Sequence, residues 1–90
     1  MNRLTPQQID EYRIELKRIT GSMVVIYESG IFYIYNVKAN DINNIMSRIR
    51  RLDFIETVSS STNGKYDFNN LHRFGGLPQQ NYDITGRIKL

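Results

Sequence analysis

Residues 22–37 read SMVVIYESGIFYIYNV, and the way this stretch pairs with itself decides the fold. Two runs of β-branched and aromatic residues flank Ser29-Gly30. That dipeptide suits a tight turn, because glycine reaches positive φ without steric cost. A two-residue loop there predicts a hairpin that sets Glu28 opposite Ile31, Tyr27 opposite Phe32 and Val25 opposite Ile34. Opposed residues share a face. One face then carries Met23, Val25, Tyr27, Phe32, Ile34 and Asn36. The other carries Val24, Ile26, Glu28, Ile31, Tyr33, Tyr35 and Val37. Neither face is polar, so either the sheet is covered on both sides or one face is a contact surface. The Tyr33 and Tyr35 face is the better contact surface, since tyrosine joins a large apolar body to a polar tip.

Upstream, Thr5 opens a helix with a full set of start signals. Thr5 is the N-cap, Pro6 takes the first helical position and Gln8 completes a capping box. Leu4 and Ile9 fit a hydrophobic staple across that cap. Ile9, Tyr12, Leu16 and Ile19 recur at helical spacing, and Thr20-Gly21 ends the element. Downstream, Asn40 or Asp41 caps a second helix running to Leu52. Its stripe is Ile42, Ile45, Met46, Ile49 and Leu52, with Arg48, Arg50 and Arg51 near its C-terminal end.

Residues 54–60, FIETVSS, predict a third strand. Asn63-Gly64 is a strong hairpin signal and predicts a return strand over residues 65–68. Ser61 would face Tyr66, and Ser59 would face Phe68. Residues 69–81 read as irregular. Tyr82, Ile84, Ile88 and Leu90 then alternate with Asp83, Thr85, Arg87 and Lys89 as a half-buried strand, with Gly86 a bulge or a close approach. The expected order is α-β-β-α-β-β-β within a single α+β domain over residues 1–90. Both helices pack on one face of a four- to five-stranded, mainly antiparallel sheet.

A chain of 90 residues with 40% hydrophobic and 23% charged content suits one small globular domain. It holds no cysteine, which rules out disulfides and cysteine metal sites and fits a reducing cytoplasm. The N-terminus shows no apolar leader, and the apolar runs fall short of the ~20 residues a membrane span needs. The expectation is a soluble cytoplasmic protein that does not engage a membrane. Ala39 is the only alanine, while Ile, Asn and Tyr are abundant. This bias suits an AT-rich genome such as those of phages and mobile elements.

His72 is the only histidine and could act as a base beside Glu56, Asp67 or Asp83. No nucleophile motif accompanies it, and the acidic residues show no metal-ligand spacing. Gly75-Gly76 lacks a phosphate-loop or dinucleotide pattern. The chain therefore reads as a non-enzyme without a cofactor.

Two binding readings follow. In the first, Tyr33, Tyr35, Tyr66 and the segment His72-Arg73-Phe74 form the contact surface of a small protein-interaction module. Its partner is a host protein, which a phage or mobile element would modulate or inhibit, or a second copy recruited by strand addition. The alternative is a small basic nucleic-acid-binding protein, net charge +3. It would combine Arg48, Arg50 and Arg51 with the sheet aromatics.

Overall fold

A computed structural model describes residues 2–39, 41–67 and 79–90. The first helix, α1 (Pro6–Thr20), begins at the expected capping box. The Gln8 N–H donates to Thr5 Oγ1 at 3.1 Å, and the Thr5 N–H donates to Gln8 Oε1 at 2.9 Å. At the other end Gly21 takes a left-handed φ of 68° and its N–H donates to the Lys17 carbonyl. Leu16 is fully buried, with Ile9, Tyr12 and Ile19 packed around the same core.

The hairpin forms from β1 (Met23–Ile26) and β2 (Ile31–Lys38), but one residue away from the expected register. Val24 faces Ile34, Val25 faces Tyr33 and Ile26 faces Phe32. The Tyr27 N–H donates to the Ile31 carbonyl and the Gly30 N–H donates to the Tyr27 carbonyl, both at 2.9 Å, while Gly30 sits at φ 94°. The connection is thus a three-residue loop, Glu28-Ser29-Gly30, with glycine in the left-handed position. A slip of one residue exchanges the faces of a strand. The partition expected for β1 is therefore corrected. Val24 and Ile26 join Phe32 and Ile34 on the buried side, and Met23, Val25 and Tyr27 join Tyr33 and Tyr35 on the other.

A second departure lies at Asn36, whose φ is 56°. The β2–β4 ladder is irregular between Ile34 and Val37, so β2 takes one residue more than its partner there. Val37, expected beside Tyr35, is instead fully buried.

After α2 (Ile42–Arg50), capped by Asp41 through the Asn43 N–H, come β3 (Ile55–Asp67) and β4 (Gln79–Ile88). Among the described residues the sheet has four antiparallel strands in the order β1-β2-β4-β3. The turn expected at Asn63-Gly64 does not form. Residues 55–67 run as one strand against β4, with an irregularity between Thr62 and Tyr66 that takes up the extra residues. Ser59 faces Thr85, Ser61 faces Asp83 and Tyr66 faces Gln80. A local turn preference yields here to a long ladder made with a distant segment. Among the described residues the element order becomes α-β-β-α-β-β, and residues 65–67 belong to β3, while Phe68 lies outside them.

β2 and β3 both run antiparallel to β4, which lies between them. They are therefore parallel to each other and, with α2, make a split β-α-β unit. α1 packs on β1 and β2, and α2 packs on β3 and α1. Helices and sheet enclose a core of Leu16, Phe32, Ile34, Val37, Ile49, Ile84 and Ile88. Tyr12 stacks on Phe54 with centroids 4.2 Å apart, which ties α1 to the turn before β3. Among the described residues, no helix is long and apolar enough to cross a membrane.

Candidate functional site

With both helices on one side, the other side of the sheet is left open among the described residues. Its residues follow from strand alternation. β1 supplies Met23 and Val25, the hairpin adds Tyr27, β2 supplies Ile31, Tyr33 and Tyr35, β4 supplies Thr85 and Arg87, and β3 supplies Thr57 and Ser59.

The half built from β1 and β2 is apolar and aromatic. Met23 is 69% exposed and Tyr27 52%, with Tyr33 and Tyr35 at 37% and 39%. Tyr27 meets Tyr33 edge to face, centroids 6.1 Å apart at 88°. Tyr33 stacks on Tyr35, again at 6.1 Å but with planes 12° apart. The three rings form a continuous row. Tyr27 and Tyr33 are diagonal cross-strand neighbours, and Tyr33 and Tyr35 are successive residues on one face of β2, both close enough for aromatic rings to touch.

The half built from β4 and β3 carries hydroxyls. An open groove of about 520 Å³ runs beside Tyr33, with Ile31, Thr57, Ser59, Thr85 and Arg87 along its walls. The Thr85 hydroxyl donates to the Phe32 carbonyl at 3.2 Å and so stays fixed against β2. Arg87 is the basic residue of the groove, and Glu56 at its rim is the acidic one. At the far end Asp83 accepts the Asn36 N–H at 3.1 Å, holding the β2 irregularity in place. The face as a whole is aromatic and hydroxylic with few charges.

Of the residues singled out in the sequence, Tyr33 and Tyr35 come together here. Arg48, Arg50 and Arg51 are exposed, but they lie at the end of α2, across the sheet from the tyrosines. Arg50 lines a separate depression with residues 55–58 at the β3 edge. Arg48, Arg50 and Arg51 thus lie on the other side of the sheet from Tyr33 and Tyr35. Tyr66 lies in β3 opposite Gln80, beyond Lys38, where β2 ends. Its side chain, and His72, Arg73 and Phe74, lie outside the described residues. Sequence reasoning missed Met23, Val25 and Tyr27 as partners of Tyr33. A three-residue loop ending in glycine was the signal that would have found them. Among the described residues, no three His, Cys, Asp or Glu side chains gather as a metal site.

No family model matches this chain, and no curated protein or solved structure is significantly similar to it.

Proposed function

We propose that this chain is a small, non-enzymatic, cytoplasmic interaction module that holds a protein partner on its open sheet face. The observation that carries the reading is the exposed row of Tyr27, Tyr33 and Tyr35. Tyrosine is enriched at binding hot spots, and charged residues are depleted from interface centres. This face has both properties, and it is mounted on a sheet whose other side is packed. Its depression is a broad groove between strands, which suits a macromolecular surface better than an enclosed substrate. The Ile-, Asn- and Tyr-rich composition supports a phage or mobile-element protein acting on a host protein.

The test is affinity capture with three chains: the wild type, Tyr33→Ala/Tyr35→Ala, and Arg48→Ala/Arg50→Ala/Arg51→Ala. A protein retained by the wild type and the arginine variant, and lost from the tyrosine variant, is the expected result. Retention of nucleic acid that weakens with log salt and disappears in the arginine variant would favour the nucleic-acid alternative.

A further inference from the structure

The outer edge of β1 is self-complementary, and we propose that two copies of the chain join there into one continuous eight-stranded sheet. This goes beyond the open-face reading and does not depend on it.

β1 is an edge strand. The Tyr27 N–H bonds to Ile31 on β2, and antiparallel ladders alternate, so the backbone groups of Val24 and Ile26 turn outward. Antiparallel pairing of two β1 edges about Val25 lets Val24 and Ile26 of one copy exchange N–H···O bonds with Ile26 and Val24 of the other. In that register Tyr27 lies opposite Met23 of the second copy. These are two of the most exposed large apolar side chains, at 52% and 69%, and thioether–aromatic contact is favourable.

The helix above the edge fits the same symmetry. Arg13, Ile14 and Lys17 line a groove with Met23 and Val24, and Ile14 is 57% exposed. Asp10, Arg13, Ile14 and Lys17 stand at i, i+3, i+4 and i+7, along one flank of α1. A two-fold axis normal to the sheet sets the two α1 helices antiparallel, with their midpoint between residues 13 and 14. Asp10, which also pairs with Arg13 of its own helix at 2.6 Å, then lies across from Lys17 of the other copy, and the Ile14 side chains meet near the axis. Charge, apolar surface and unpaired backbone all match a second copy in one arrangement. Both tyrosine rows end on the same side of the joined sheet.

The experiment is light scattering and sedimentation of the full chain across a concentration series, with circular dichroism on each variant to confirm folding. Wild type is expected to approach twice the monomer mass at high-micromolar concentration. Ile14→Lys and Met23→Lys, both at exposed positions, should each raise the dissociation constant at least about tenfold, since a charge on a strand edge opposes pairing. Asp10→Lys or Lys17→Asp alone should weaken association about threefold or more, and the double swap should recover it. A wild type that stays monomeric throughout overturns the proposal. So does a dimer indifferent to Ile14→Lys, or one that the double charge swap fails to restore. A dimer dissolved by Tyr35→Ala but not by Ile14→Lys would place the contact on the sheet face instead.

Discussion

Tyr33 and Tyr35 stack on the open face with ring centroids 6.1 Å apart and planes 12° from parallel. More than a third of each residue is in contact with solvent, so the stack adds little to stability. Truncating either ring to alanine should cost about 1–2.5 kcal/mol, the aromatic pair plus the partial burial of the ring. Phe32, on the same strand but fully buried, should cost about 3–5 kcal/mol as Phe32→Ala. Denaturant unfolding of the three variants should show this order. Global unfolding of Tyr33→Ala or Tyr35→Ala would place those rings in the core and remove them as a contact surface.

Gly30 and Gly21 both have positive φ, and substitution separates their roles. At Gly21, φ 68°, an added Cβ would meet nothing within 4 Å. Gly21→Ala should carry only the left-handed penalty of about 1–2 kcal/mol. At Gly30, φ 94°, the same atom would come 2.7 Å from the Ile88 carbonyl oxygen. That site is held from two sides, since the Ile88 N–H donates to the Gly30 carbonyl and the Leu4 N–H donates to the Glu28 carbonyl. Gly30→Ala should therefore destabilise by about 3 kcal/mol or more, adding steric conflict to strain. Equal midpoints for the two alanine variants would show that the loop yields freely.

How far the fold can be read from residues alone depends on how local the deciding interaction is. α1 is legible because its cap, stripe and terminating glycine all act within a few residues of one another. The existence of the β1–β2 hairpin is equally local, but its register turns on whether Glu28 belongs to the strand or to the loop. Apolar residues on both faces gave no contrast to decide it. The Asn36 irregularity depends on Asp83, 47 residues away, and nothing near Asn36 announces it. Asn63-Gly64 shows the opposite failure, where a strong local signal is overruled by pairing with β4. On the candidate face, Tyr33 and Tyr35 follow from alternation within β2. Tyr27 joins them through the three-residue loop, while the separation of Arg48, Arg50 and Arg51 from the tyrosines requires the tertiary arrangement.

Asn36 occupies its left-handed conformation at φ 56° because asparagine tolerates that region better than most residues. The Asn36 N–H donates to Asp83 and the Asn36 carbonyl accepts from the Ser22 hydroxyl. Asn36→Gly keeps the left-handed φ and both backbone bonds, so it should cost less than a β-branched replacement. Asn36→Val should cost about 2 kcal/mol, because a β-branched residue is strained at positive φ. A valine variant as stable as the wild type would mean that β2 can run without the extra residue, which would turn Val37 out of the core.

Gly86 sets how closely β3 and β4 lie beside Phe32. A Cβ there would fall 2.7 and 2.8 Å from two atoms of the Phe32 ring and would also collide with the Thr57 carbonyl oxygen. Neither neighbour can give way cheaply, because Phe32 is fully buried and Thr57 is held in the ladder opposite Arg87. Gly86→Ala should therefore cost about 3 kcal/mol, the upper range for overpacking. The double variant Gly86→Ala/Phe32→Leu separates the two collisions. Leucine relieves the ring contact but leaves the carbonyl one, so it should recover only part of the loss. The strain should also spread along the ladder, since Gly86 lies between Thr85 and Arg87 in the groove wall. Amide exchange at Thr57 and Ser59 should then speed up in Gly86→Ala while the α1 amides, away from that ladder, change less. Full recovery in the double variant would assign the whole effect to Phe32, and unchanged exchange at Thr57 would show that the strand pair absorbs a methyl group without moving.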